Sequence, residues 1–228
     1  MRIEDNIANE FNIFSVNYTN DMIRCVPHYL KLTSAFTDGL TKGFAPRNIL
    51  DLGCGNGNVT SQLLQLFPES NYTLLDASPE MINLCKNLFK GYSIEYITSY
   101  FKGYTFKEDY YDLITAGFSL HHCNSEEKKT LFQSIYRSLK KEGLFGCSDL
   151  MMNKNRPEHS KLLKQWKDFV ARSFPDDEKW KWLMEHYEEF DKPDDYVDQL
   201  KWLEQAGFKN VTLTTHDSYW AHIRAIKE

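Results

Sequence analysis

The chain has 228 residues, of which 42% are hydrophobic and 26% are charged, and this size and mixture predict one globular α/β domain. Its formal net charge of −5 argues against a nucleic-acid partner, because phosphate contacts need clustered Lys and Arg. None of its five cysteines stands in a CxxC pair, which argues against a disulfide framework and a structural zinc site, so we predict no metal ligands.

The N-terminal segment predicts two helices. Apolar residues recur at three- and four-residue steps over residues 5–24, which is typical of an amphipathic helix, and Pro27 ends it. The second helix is predicted over residues 29–41. The first residues lack the apolar stretch of a signal peptide. No run reaches the roughly 20 apolar residues of a membrane span, so we expect a cytoplasmic protein without a membrane partner.

Apolar runs that read as strands then alternate with amphipathic segments that read as helices. The five predicted strands are residues 47–52, 72–76, 94–98, 112–115 and 143–150. The helices between them begin near Asn58, at Pro79 after an N-cap Ser78, and at Ser125. This alternation predicts a parallel sheet with helices on both faces.

Beyond residue 150 the composition changes. Residues 157–190 are rich in Trp, Lys and Glu and predict two helices that are broken near Pro175. A helix over residues 194–206 and an antiparallel hairpin of 211–216 with 219–226 complete the chain. We therefore interpret 1–228 as a single domain in three parts. They are an N-terminal helical lid ordered by the ligand (1–45), an α/β core (46–150 and 194–228) and a helical insert (151–193).

A glycine-rich turn follows the first predicted strand. It has the pattern D-x-G-x-G-x-G, from Asp51 through Gly53 and Gly55 to Gly57. The dinucleotide pattern G-x-G-x-x-G is absent, because Asn58 stands where its third glycine belongs. A carboxylate at Asp51 would repel a pyrophosphate but suits an ammonium group. The turn therefore predicts a nucleoside that carries an amino-acid tail rather than a dinucleotide.

A second carboxylate, Asp76, ends the next predicted strand. In open α/β sheets the ligand lies at the carboxyl ends of the strands, where Asp76 can accept hydrogen bonds from both hydroxyls of a ribose. The alternative is that Asp76 only caps the helix that begins after Ser78. Both interpretations stay open at this point.

Taken together, several segments resemble the successive motifs of class I S-adenosylmethionine (SAM)-dependent methyltransferases. They are residues 51–57, 76–81, 112–116, 139–143 and 203–208. The resemblance implies a Rossmann-like sheet of seven strands, mostly parallel with an antiparallel last hairpin, and SAM as the cofactor with S-adenosylhomocysteine as the product. It also implies that the turn of Asp51, Gly53, Cys54, Gly55 and Gly57 holds the methionyl part of SAM and that Asp76 binds the ribose. Ala77, Met81, Tyr100 and Phe101 would surround the adenine, and Ala116 would face the sulfonium.

A narrower likeness concerns the N-terminal helix and residues 118–122. Both are similar to a subgroup near the carboxy-SAM synthases of tRNA wobble-uridine modification. That likeness implies that Tyr18 and Arg24 reach the cofactor carboxylate. Those synthases carry an Arg on the helix before the Ala-Gly-Phe motif, whereas this chain has Trp202 there, which disfavours the synthase interpretation.

Methyl transfer depends mainly on alignment of the acceptor, and a general base assists some acceptors. His121 and His122 are the predicted bases, with His216 as a third candidate; the alternative is a polar strand end. We expect a small-molecule acceptor, in a pocket built from the N-terminal helices and the insert. Trp166, Trp180 and Trp182 either wall that pocket or simply pack. A carboxy-SAM synthase-like enzyme and a non-catalytic SAM-binding domain are the alternatives, and a homodimer is left open.

Overall fold

A computed structural model describes residues 18–217 and 219–228, with side chains omitted for residues 215–217. Residues 5–17 of the helix predicted over residues 5–24, and residues 1–17 of the predicted lid, lie outside the described residues. So does Ser218 in the predicted hairpin turn. The described part of the first helix is α1 (Tyr18–Cys25), which ends two residues before Pro27 as expected. None of the described helices combines the length and the apolar character needed to cross a membrane.

Seven strands of the described residues form one mixed sheet in the order β3-β2-β1-β4-β5-β7-β6. The first five are mutually parallel, and β7 runs antiparallel to both β5 and β6. This sheet confirms the predicted Rossmann-like fold class. The strands are β1 (Asn48–Leu52), β2 (Asn71–Asp76), β3 (Ile94–Thr98), β4 (Tyr111–Gly117), β5 (Leu139–Leu150), β6 (Lys209–Asp217) and β7 (Trp220–Ile226).

The helices of the core begin where their capping residues predict. The Ser78 side chain accepts a hydrogen bond from Met81 N, and Asn124 and Glu127 form a reciprocal capping box, which satisfies backbone donors at each helix start. The core helices are α3 (Asn58–Leu66), α4 (Pro79–Leu88), α5 (Ser125–Ser138) and α8 (Tyr196–Ala206). They cover the two faces of the sheet, with apolar clusters between helices and strands.

The prediction of a helix over residues 29–41 was wrong in length. Helix α2 spans only Tyr29–Ser34. The Arg224 side chain donates hydrogen bonds to the carbonyl oxygens of Ala35 and Asp38, and Gly39 has a φ of 66°. The chain therefore turns towards β7 instead of continuing as a helix.

The insert forms the two predicted helices, α6 (His159–Val170) and α7 (Glu178–Phe190). Trp166 is their main anchor: it is buried, and its indole N–H donates to Cys25 O at 2.7 Å. Its ring also packs on Trp220 with 5.6 Å between centroids. One side chain thus joins the insert to α1 and to β7.

Asp51 is buried in the middle of the sheet. The Thr60 hydroxyl donates to its Oδ2 at 2.6 Å and the Thr115 hydroxyl donates to its Oδ1 at 2.9 Å. Because Thr60 lies on α3 and Thr115 on β4, the carboxylate joins three elements. Burial raises the pKa of Asp51 to about 6, although the two hydroxyl donors oppose the shift.

We expect Asp51→Asn to change how stability depends on pH. The raised pKa means that Asp51 contributes stability below its ordinary pKa near 3.8, and this contribution is lost as the pH rises through about 6. Between pH 4 and pH 7 the free energy of unfolding of the Asn variant should therefore gain about 2 kcal/mol relative to the parent. Urea unfolding at both pH values measures this difference. The exposed-acid variant Asp168→Asn is the control, and an equal change in both variants would contradict the prediction.

Candidate functional site

A cavity of about 560 Å³ lies at the carboxyl ends of the central parallel strands, where ligands bind in open α/β sheets. The structure brings many of the sequence-predicted residues together in its wall. Those residues are Tyr18, Gly53, Gly55, Asp76, Ala77, Met81, Tyr100, Phe101 and His122. Lys102 and Lys192 also contribute to the wall, and no sequence pattern identified them.

The three glycines of the turn have different structural roles. A Cβ on Gly53 would lie 2.4 Å from Ser119 Cβ, and one on Gly57 would lie 2.6 Å from the Phe89 ring. These two glycines are therefore required by the packing of the protein itself. Around Gly55, whose φ is 53°, the same test finds nothing among the described residues within 4 Å. The missing side chain of Gly55 is the one that leaves room at the cavity.

Asp76 lines the cavity and also holds the start of the following helix. Its Oδ1 accepts from Ser78 N and its Oδ2 accepts from Gly55 N, both at 2.8 Å. The carboxylate therefore positions the glycine turn as well as the start of α4. Burial raises its pKa above the usual range. A carboxylate oxygen has two lone pairs, so these bonds leave acceptor capacity towards the cavity that Asp76 lines.

Two predicted contacts need correction. The Arg24 guanidinium donates to Ser173 O at 2.9 Å and lies 4.1 Å from the centroid of the Phe174 ring. It therefore faces the segment between α6 and α7 rather than the cavity. Asp51 is held by two hydroxyls below the turn, so it does not present its carboxylate to a ligand's ammonium group.

Three further predicted residues lie behind the cavity wall. Cys54 and Ala116 are buried in the core, and Gly57 packs against Phe89. The glycine-turn pattern identifies the loop that approaches a ligand. It does not identify which side chains of that loop point inward, because this depends on elements that are distant in sequence.

A second, smaller cavity of about 70 Å³ shares Tyr18 with the first. Most of its wall is apolar, and one end is polar. The apolar wall consists of Tyr18, Met22, Cys25, Val26, Phe118, Leu150, Trp166, Trp182, Leu183 and Trp220, and the polar end consists of His121, His186 and Asp191. Two of the three predicted tryptophans are thus in a cavity wall, while Trp180 packs edge-on against Trp166. Burial raises the pKa of the shared Tyr18 hydroxyl.

Asp149 at the end of β5 positions His121. Its Oδ2 accepts from Leu120 N and His121 N at 2.8 and 2.9 Å, and its Oδ1 accepts from Leu150 N at 2.8 Å and contacts His121 Nδ1. Burial disfavours a charged imidazole here. Even so, Asp149 and Asp191 together raise the pKa of His121 above its usual value.

His122 and His186 differ from His121. Burial and the neighbouring His121 lower the pKa of His122. Burial also lowers the pKa of His186 to about 4, although Asp191 opposes the shift. Nitrogens of all three imidazoles lie within 4 Å of Asp191 Oδ1.

Sequence reasoning missed Asp149, His186 and Asp191. Asp149 gave a usable signal, since an acid within the apolar run that ends β5 is unusual for a buried strand. His186 and Asp191 gave none, because they reach the site from the insert. The third candidate base, His216, lies in β6 paired with Ala221, and its side chain is outside the described part.

Comparison with known proteins agrees with this fold. A family model described as a methyltransferase domain matches residues 49–143. A ubiquinone/menaquinone biosynthesis C-methyltransferase of Pseudoalteromonas translucida is 28% identical, over 90% of this chain and 84% of that protein. A carboxy-S-adenosyl-L-methionine synthase of Campylobacter jejuni subsp. doylei is 24% identical, over 89% and 87%.

Among solved structures, human N-acetylserotonin methyltransferase in complex with SAM superposes with a TM-score of 0.64 at 17% identity. The match covers 96% of this chain but only 56% of the human chain, and it supports the fold alone. The family model and the curated relatives agree with the motifs in the sequence. Together they support a class I SAM-dependent methyltransferase, an enzyme whose cofactor is S-adenosylmethionine.

Proposed function

We propose that this enzyme transfers the methyl group of SAM to a small, largely apolar acceptor. SAM would occupy the larger cavity and the acceptor would occupy the smaller one. The observation that carries this proposal is that Tyr18 lines both cavities. A cofactor and an acceptor on either side of that residue would bring a methyl donor and a nucleophile together.

The walls of the larger cavity suit SAM. The backbone at Gly55 leaves space for the methionyl part, and Asp76 would accept the ribose hydroxyls. Met81 and Phe101 would pack on the adenine, with Tyr100 in place of the acid that many family members carry. The wall also carries charged side chains such as Lys102 and Lys192, but most of its surface is apolar, as in most small-molecule pockets.

The smaller cavity suits a flat or aliphatic acceptor with one polar group. Aromatic faces from Phe118, Trp166, Trp182 and Trp220 line it, and such faces also favour a sulfonium cation. The acceptor's polar atom would point towards His121 and its neighbours. One curated relative is named for ubiquinone and menaquinone biosynthesis, which is consistent with an apolar acceptor. Alignment of two such partners can contribute roughly 7–11 kcal/mol to catalysis.

A carboxy-SAM synthase activity is the second candidate, because several curated relatives at 22–24% identity carry that name. The residue aligned with the carboxylate-binding Arg, Trp202, is on α8 and packs against the core, with Lys129 5.0 Å from its ring centroid. Lys192 is a cation in the wall of the larger cavity. Mass spectrometry after incubation with SAM and prephenate separates the candidates: a carboxylated SAM product would favour the synthase and contradict the methyl-transfer proposal.

Replacing Asp76 tests the position of SAM. We expect Asp76→Ala to weaken SAM binding by about 1–3 kcal/mol, because it removes an acceptor from buried donors. Calorimetric titration with SAM measures the change. Glu80→Gln, which removes an exposed acid in the first turn of α4, should leave the SAM affinity unchanged. Equal SAM affinities for parent and Asp76→Ala, with both folded by circular dichroism, would remove Asp76 from the site.

Filling the smaller cavity tests the position of the acceptor. A screen of small phenols, quinols and aliphatic acids for S-adenosylhomocysteine release would first identify an acceptor. Leu183→Trp should then lower kcat/KM for that acceptor by at least about tenfold, since it occupies the apolar pocket, while SAM affinity stays the same. Leu162→Trp makes the same change on the insert outside both cavity walls and is the control. Equal losses in both variants, or methylation of macromolecules alone, would count against the proposal.

A further inference from the structure

Three histidines converge on a single buried carboxylate oxygen between the two cavities. Asp191 Oδ1 lies 3.2 Å from His122 Nδ1, 3.6 Å from His186 Nε2 and 3.7 Å from His121 Nε2. The carboxylate is 7% exposed. The four residues come from two segments of the chain: the turn after β4, and helix α7 with the residue that follows it.

These distances are close to those between the ligand atoms around a bound metal ion. A tetrahedral zinc ion with bonds of about 2.0–2.1 Å holds its ligand atoms about 3.3 Å apart. One ligand atom each from His121, His122 and Asp191 lie within 4.8 Å of one another. His186 lies next to this group of three, with its Nε2 3.6 Å from Asp191 Oδ1. A small contraction around an ion would bring the donors to bonding distance.

The surroundings of His121 resemble an outer shell around a metal ligand. A metal-bound imidazole usually presents its second nitrogen to a carboxylate, which orients the ring. Here His121 Nδ1 contacts Asp149, while Nε2 faces Asp191. Asp149 is itself held by three backbone N–H groups. The ring of His121 is therefore already oriented with one nitrogen towards the cluster.

The donor set indicates the class of ion. Imidazole nitrogens suit zinc, iron, nickel and copper, whereas calcium and magnesium prefer oxygen ligands. We propose that His121, His122 and Asp191 bind a divalent transition-metal ion, with Zn²⁺ as its representative. Because His121 and Asp191 also line the smaller cavity, an oxygen of an acceptor could take the fourth position at the ion. Metal binding by these residues does not depend on the proposed methyl transfer.

Direct metal titration tests this inference. Untagged protein, treated with a chelator and dialysed, is titrated with Zn²⁺ by calorimetry and with Co²⁺ by visible absorption, both without SAM. We expect one equivalent to bind and to give the d–d bands of four-coordinate cobalt. A thiolate-to-cobalt charge-transfer band should be absent, since the ligands are nitrogen and oxygen.

Variants then assign the ligands. Asp191→Asn and His122→Gln should each abolish saturable binding, and Asp149→Asn should weaken it by about 10- to 100-fold. His159→Ala, a histidine of the insert that contacts Tyr187, should bind like the parent. Circular dichroism confirms that each variant is folded. Absence of stoichiometric binding by the parent, a sulfur-to-metal band, or parent-like binding by folded Asp191→Asn and His122→Gln would overturn the proposal.

Discussion

A carboxylate that is removed from water needs hydrogen bonds or paired charges, because otherwise its burial costs several kcal/mol. Three strands of this sheet carry such a group at or near their carboxyl ends, and each is satisfied differently. Asp51 accepts from two threonine hydroxyls, Asp76 accepts from backbone N–H groups of the two adjoining turns, and Asp149 accepts from backbone N–H groups and contacts an imidazole. These requirements shape the loops that surround the larger cavity.

The three carboxylates have different consequences for function. Asp51 stabilises the sheet beneath the glycine turn, and its own oxygens are already engaged. Asp76 accepts from backbone N–H groups instead and stands at the cavity wall, so one residue both supports the surrounding turns and faces the cavity. Asp149 acts indirectly, because it orients His121, which belongs to the polar end of the smaller cavity.

The insert contributes residues that complete the smaller cavity. Its helices contribute Trp166, Trp182 and Leu183 to the smaller cavity, and they bring His186 and Asp191 to the histidines that follow β4. The hydrogen bond from the Trp166 indole to Cys25 O joins the insert to α1, which carries Tyr18. The residue shared by both cavities and the residues that close the smaller one are therefore held as one unit.

The sequence by itself determined the sheet and the glycine turn. Local signals such as apolar runs, the cap at Ser78 and the helix end before Pro27 are sufficient there, because adjacent residues decide them. Tertiary structure alone decided which residues face the cavities. Arg24 is drawn to Ser173 O, Asp51 is turned inward by Thr60 and Thr115, and Asp191 meets histidines that lie 69 and 70 positions earlier in the chain. These side-chain positions follow from contacts between distant segments, and no local sequence pattern predicts them.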